Sequence, residues 1–246
     1  MYIKTKEEIK IILEAGKRMG DVLEQLAAMA RPGMSTWEID QAAERMIREA
    51  GGAPAFKGYR PGESYPPFPA TICASINEEV VHGIPSKERI LKDGDILSID
   101  IGMKYAKSQK SKVFSQKSYF VDTAVTIPIG KIPEKIQQLI DATKQALEIG
   151  IGQCHVGQTI ADIGKAIQSW VEPQGYSIVR DLVGHGVGHA LHEDPRVPNY
   201  FEKELEAWKL EPGVVIAIEP MITMGSWRVK TGDDKWTIVT KDKSLS

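Results

Sequence analysis

The residues of this chain best suited to chemistry are carboxylates set at the ends of apolar runs and a glycine segment rich in histidine. Gly184-His185-Gly186-Val187-Gly188-His189-Ala190-Leu191-His192-Glu193 holds three of the five histidines. Neutral imidazole binds metals and carries protons, and the interleaved glycines allow backbone or substrate to come close. Asp100 follows the run from Ile96 to Ile99, and Glu219 follows the run from Val214 to Ile218. An ionised carboxylate is costly in such a place unless a positive charge pairs with it. Read alone, each is equally well a strand-end residue turning into solvent; their parallel placement favours an inward role. Asp122 lies between Tyr119-Phe120-Val121 and Ala124-Val125-Thr126-Ile127, so a hairpin would return it beside Asp100. The histidine spacing fits none of the helical zinc motifs. Three carboxylates with one or two histidines and no cysteine suit a hard-to-borderline ion such as Mn, Fe, Co or Zn. His82, in Val80-Val81-His82-Gly83-Ile84-Pro85, reads by itself as a satisfied structural imidazole, Cys73 as a small core residue, and His155 as a loop residue. Neither a Gly-x-Ser-x-Gly elbow nor a Walker-type phosphate loop occurs, which weakens serine-hydrolase and nucleotide readings.

These groups need a folded scaffold, and 246 residues suffice to bury a core without staples. Charged residues are 26% and hydrophobic ones 42%, the balance of an ordinary globular chain. A net charge of -2 argues against a chain-wide basic surface for nucleic acid. Two cysteines, Cys73 and Cys154, make no disulfide framework, so a reduced, cytoplasmic setting is expected. The opening MYIKTKEEIK has no apolar h-region, and no apolar run approaches the ~18 residues of a membrane span.

The positioning elements come in two sets. Thr5 with Glu8 predicts a capping box, followed by Ile12, Ala15, Met19, Val22, Leu23 and Leu26 on one helical face. Arg31-Pro32-Gly33 stops that helix, and Ser35 with Glu38 caps a second one, with Ile39, Ala42, Ala43, Met46 and Ile47 inward and Gly51-Gly52 at its end. The plan returns in a helix from Pro133 to about Ile149, then one capped by Thr159 and Asp162. That last helix carries Ile160, Ile163, Ala166, Ile167 and Trp170 as its apolar positions. Gly33 and Gly157, Ser35 and Thr159, Ile39 and Ile163, and Gly51 and Gly175 are each 124 residues apart. The run Asp93–Asp100 likewise resembles Glu211–Glu219: a turn, an apolar strand, and a carboxylate at its far end. An internal duplication follows, with two α+β halves whose sheets share a core and whose strand-end carboxylates meet near a pseudo-twofold axis.

At this point the chain resembles the type I methionine aminopeptidases, of the pita-bread (creatinase/aminopeptidase) fold. The resemblance runs from Ile3 to Ser246. It is carried by the segments Ile76–Pro85, Gly184–His189, His192-Glu193-Asp194-Pro195, Ile218-Glu219-Pro220-Met221 and Trp236–Asp242. It implies one catalytic domain over 1–246, with halves at about 1–130 and 131–246, a shared sheet-lined core and helices outside. It implies that Asp100, Asp122, His185 and Glu219 hold a dinuclear centre of Co, Mn, Fe or Zn. His82 and His192 would contact substrate, and Tyr65, Phe68, Cys73 and Trp236 would line a pocket for the methionine side chain. Metal-bound hydroxide would attack the first peptide carbonyl, His192 would stabilise the oxyanion, and Glu219 would move the proton to the leaving amine. A small second residue would be preferred. The implied partners are nascent polypeptide N-termini, with no membrane, and a monomer is expected. A different class, a catalytically impaired module of this fold that binds ribosome, RNA or protein, is disfavoured by retention of the four ligand positions and both histidines.

Two departures from the family pattern stand out. Asp100 and Asp122 are 22 residues apart, about twice the usual spacing, and Lys104 to Tyr119 holds five lysines, four serines and no acidic residue. This basic insert reads as a solvated hairpin tip, or as an electrostatic contact to ribosomal RNA. The family's fifth ligand, a bridging glutamate, falls on a strand beyond Ser246, so a shortened chain and a weaker second ion site are the expectation.

Overall fold

The computed structural model describes residues 3–106 and 117–246. The first half opens with α1 (Lys6–Met29) and α2 (Thr36–Glu49), followed by β1 (Gly52–Pro54), β2 (Ile72–Ile76), β3 (Glu79–Val81), β4 (Ile96–Tyr105) and β5 (Tyr119–Pro128). The second opens with α3 (Glu134–Ile151) and α4 (Ile160–Val171). It continues with β6 (Ser177–Ile178), β7 (Gly184–Gly186), β8 (Glu193–Val197), β9 (Ile216–Ala217), β10 (Ile222–Thr223), β11 (Val229–Thr231) and β12 (Ile238–Thr240).

The helix starts follow from their caps. Thr5, Ser35 and Thr159 each accept from the backbone N–H three residues on, and the side chains of Glu8, Glu38 and Asp162 return to the cap N–H. The six apolar positions expected on α1 are all buried. On α4 the buried stripe is Ile160, Ile163, Ile167 and Val171, whereas Trp170 is 38% exposed. Trp170 thus departs from the expected inward face, because the stripe continues from Ile167 to Val171 instead.

The same turns recur in the two halves. Gly33 and Gly157 have φ of +90° and +97°, and Gly51 and Gly175 have +84° and +83°. An antiparallel bridge joins Ser35 to Ile90 in one half, and Thr159 to Lys209 in the other. The halves are not equal in their sheets. In the first, β4 is the spine, with β5 antiparallel along its whole length and β2 and β1 sharing its other edge. In the second, β7 lies between β8 and β9, and only Ile216 and Ala217 of the expected apolar strand pair in the ladder. Flanking backbone there is held by single bonds, Val187 N–H to Val215 O (3.1 Å) and Asn199 Nδ2 to Glu219 O (2.5 Å).

One hydrophobic cluster lies under α1 and α2, and another under α3 and α4. Ile96 of the first half sits in the second cluster, and Val215 of the second half packs on the first, so the halves interlock. A third, smaller cluster of Phe56, Phe68, Cys73, Leu191 and Trp236 draws on both. Among the described residues no helix is long and apolar enough to cross a membrane.

The expected solvated insert needs correction at its ends. Tyr105 and Tyr119 face each other as the last β4–β5 pair and are 5% and 4% exposed. The Tyr105 hydroxyl donates to Glu14 (2.9 Å), and Lys117 pairs with Glu8 on α1. The strand ladder extends into the insert because both tyrosines find apolar cover against the first-half core. Residues 107–116, where its tip was expected, lie outside the described residues.

Candidate metal centre

Asp100 sits in the middle of β4 rather than at its end, since the strand continues to Tyr105. Its cross-strand neighbours are Cys73 on β2 and Ala124 on β5, while Gly102 faces Asp122. Side chains two apart on a strand share a face, so the hairpin sets Asp100 and Asp122 diagonally on one face. His185 is the central residue of β7, opposite Arg196 and Ala217. The glycines around it are needed: a Cβ on Gly184 would lie 2.3 Å from Ala217 O, and one on Gly186 2.4 Å from Asp194 O. Glu219 follows β9 by two residues.

These four residues from two halves converge. His185 Nε2 lies 3.5 Å from Asp122 Oδ2 and 3.1 Å from Glu219 Oε1. Ligand atoms of Asp122, His185 and Glu219 all lie within 4.8 Å of one another. His185 Nδ1 is 2.8 Å from Gly186 O. A carbonyl only accepts, so Nδ1 donates, and a neutral ring then offers Nε2 as a lone pair. Glu219 Oε1 is buried with no hydrogen-bond donor aligned on it, despite its proximity to the imidazole.

Charge crowding marks the cluster. Burial, then the Asp122 and Glu219 charges, push the Asp100 carboxyl well above the usual range. Burial works against a charged His185, but the nearby Asp122 and Glu219 carboxylates prevail and lift it to about 10. The carboxylates thus favour protons on their neighbours. That electrostatic demand and the convergence of Asp122, His185 and Glu219 ligand atoms within 4.8 Å of one another fit a divalent ion.

The cluster opens on a cavity of about 290 Å³. His82, His192, Phe68, Cys73 and Trp236 line it with the four candidate ligands. Tyr65 does not line it: that ring is 45% exposed and leans on Trp236 at 6.0 Å, outside the wall. Its loop arches outward between the Tyr59 and Phe68 backbones, which are tied by Phe68 N–H to Tyr59 O (2.9 Å). Sequence reasoning missed Phe56, Tyr59 and Leu191 as lining residues. Phe56 and Tyr59 carry no ligand chemistry, and their only signal was their place just ahead of the Phe68–Cys73 segment.

His82 adopts φ +60°, a left-handed conformation uncommon outside glycine and frequent at functional positions. Burial lowers its basicity. His192 reaches solvent at one edge, yet the cavity wall and then the His185 charge take it down to about 4. Its ring lies 4.3 Å from that of His185. His189 is placed elsewhere, 3.0 Å from Glu8 on α1. Glu193 forms an ion pair with Lys4 at 2.7 Å, both side chains 1% exposed.

The model of metallopeptidase family M24 matches residues 10–239. The methionine aminopeptidase of Clostridium acetobutylicum is 43% identical over all of this chain and 91% of its own length. Methionine aminopeptidase 1 of Bacillus subtilis is 44% identical over 97% of this chain and 89% of its own. Among solved structures, methionine aminopeptidase from Thermotoga maritima superposes with a TM-score of 0.88 at 37% identity, covering 100% of this chain and 91% of that one. A prolidase from Pyrococcus furiosus gives 0.70 at 26% identity, over 89% of this chain and 57% of that one. The chain belongs to metallopeptidase family M24 and has the pita-bread fold. It is accordingly a divalent-metal protein, with a candidate site at Asp122, His185 and Glu219.

Proposed function

We propose that this protein is a methionine aminopeptidase that removes the N-terminal methionine from nascent cytoplasmic proteins whose second residue is small. The observation that carries the reading is the union of the carboxylate–histidine cluster with a 290 Å³ cavity walled by Phe68, Cys73 and Trp236. An unbranched, polarizable thioether suits such an aromatic and sulfur-lined wall. Trp236 anchors it, with its ring 5.2 Å from Phe68 and 6.0 Å from His82.

Asp100, Asp122, His185 and Glu219 are proposed to hold two divalent ions of the Co, Mn, Fe or Zn type. Such ions supply Lewis acidity and activation of water near neutral pH when bound. The protein groups divide the remaining work. His192, neutral at pH 7, donates a hydrogen bond to the peptide carbonyl oxygen as negative charge develops there. Glu219 carries a proton to the departing amine. His82, held by its left-handed backbone, positions the scissile amide. The foot of the insert packs on α1 through Lys117 and Tyr119, and the insert's lysines are proposed to contact the ribosome.

The test is release of methionine from a Met-Ala-Ser peptide, run beside a metal-content assay. Turnover should accompany bound metal, and a Met-Trp peptide should be cleaved far more slowly. Equal cleavage of both, or preference for X-Pro bonds, would refute the assignment.

A further inference from the structure

Tyr59 lines the cavity beside His192 and bonds to it. The Tyr59 hydroxyl lies 2.7 Å from His192 Nδ1, with the two rings 5.0 Å apart. The loop base fixes the tyrosine from both sides: Tyr59 N–H donates to Phe56 O (2.9 Å), Phe68 N–H donates to Tyr59 O (2.9 Å), and Gly58 N–H donates to Phe68 O (2.8 Å). Gly58 sits at φ +84°, which turns the chain so that Tyr59 faces the cavity.

A neutral imidazole carries one proton, and which nitrogen holds it is set by the partner of the other. Among the described residues the Tyr59 hydroxyl has one hydrogen-bond partner, His192 Nδ1. Donation from the phenol to Nδ1 satisfies both groups. The reverse arrangement spends the imidazole proton on the phenol oxygen and leaves the phenol proton without a protein partner.

We propose that Tyr59 is a positioning residue that fixes the tautomer of His192, its hydroxyl donating to Nδ1 so that the proton resides on Nε2 as a donor at the cavity wall. This rests on the reading of His192 as the group that meets the peptide carbonyl. Without Tyr59 the ring is free to place its proton on Nδ1, and Nε2 then meets the substrate oxygen as a lone pair, which repels it.

The test compares the zinc-loaded wild-type protein with Tyr59→Phe, both labelled with ¹⁵N-histidine. Phenylalanine keeps the ring contact and removes only the hydroxyl. Spectra of His192→Ala assign the resonances. The wild type should show His192 as the Nε2–H tautomer, and the variant should show a mixture or the Nδ1–H form. With metal content equal, kcat on a Met-Ala-Ser peptide should fall about tenfold, the scale of one lost hydrogen bond, with KM within about twofold. A structural role would lower thermal stability or metal content and leave the tautomer alone. An Nδ1–H tautomer in the wild type, an unchanged tautomer in Tyr59→Phe, or a changed tautomer with unchanged kcat each overturns the proposal. The spectra need no substrate, so a wild-type protein inert toward methionyl peptides refutes the proposed function while the tautomer lock is still decided.

Discussion

His185 and His192 are neighbouring imidazoles with opposite tendencies, one lifted to about 10 and the other lowered to about 4. The difference follows from contact: His185 lies against two carboxylates, and His192 against His185. His185→Ala should therefore lose bound metal and turnover together. His192→Ala and His82→Ala should retain metal and lose turnover by about 10²-fold or more. Metal analysis beside kcat separates the two outcomes, and metal loss in His192→Ala would reverse the roles. The same electrostatics makes metal binding a proton exchange. In the metal-free protein His185 holds its proton until the pH passes about 10, and Asp100 is also shifted toward its protonated form. An ion must displace those protons. Titration calorimetry at pH 7.5 in buffers of different ionisation enthalpy should show release of about one proton or more, and affinity should rise with pH.

At the scale of elements, the N-terminus of α1 carries more than a cap. One oxygen of Glu8 accepts from Thr5 N–H (2.8 Å), while the other meets Lys117, Tyr119 (3.3 Å) and His189 (3.0 Å). Glu8 thereby joins the first helix, the foot of the insert and the histidine segment. Lys117, then the Thr5 N–H, lower its carboxyl from 4.5 to about 2. A depressed carboxyl stabilises the fold above its unfolded value and loses that contribution as pH falls through its folded one. Glu8→Ala should cost about 1–2 kcal/mol at pH 7, the scale of a lost cap. The difference from wild type should shrink as pH falls from 4.5 toward 2. Denaturant titrations at three pH values would measure this, and a difference constant with pH would exclude the carboxylate as its source. The foot of the insert also limits what can be trimmed. Replacing Tyr105 to Ser118 would remove a buried ring and its bond to Glu14, so an informative deletion spares Tyr105 and Tyr119.

At the scale of the molecule, the candidate ligands divide between the halves. Asp100 and Asp122 come from the β4–β5 hairpin, and His185 and Glu219 from β7 and the segment after β9. A bound ion thus ties the two halves together at a point where the free protein gathers like charges. Binding to the native state alone stabilises by mass action, about 2.7 kcal/mol at a hundredfold excess over Kd. Adding Mn or Zn to metal-free protein should raise Tm in a concentration-dependent way, and His185→Ala should abolish the rise. A Tm rise that survives in His185→Ala would place the ion elsewhere.

The sequence by itself determined the helices and the repeated turns, and its resemblance to a family pointed to candidate ligands. Capping boxes at Thr5, Ser35 and Thr159 and the apolar stripe of α1 are local signals, and local chemistry sets them. The 124-residue offset was legible because glycines of equal φ recur wherever both halves make the same turn. Asp100 and Glu219 drew notice as carboxylates ending apolar runs, which need a partner, while the set Asp100, Asp122, His185 and Glu219 rested on the family resemblance. Tertiary structure alone decided which residues meet. The shortness of β9, the outward turn of Trp170, the burial of Tyr105 against α1 and the lean of Tyr65 on Trp236 depend on packing between elements distant in sequence. The roles of Tyr59 and Glu8 were hidden for the same reason: a phenol 133 residues from His192 and a helix-cap carboxylate 181 residues from His189 acquire partners only when the chain closes on itself.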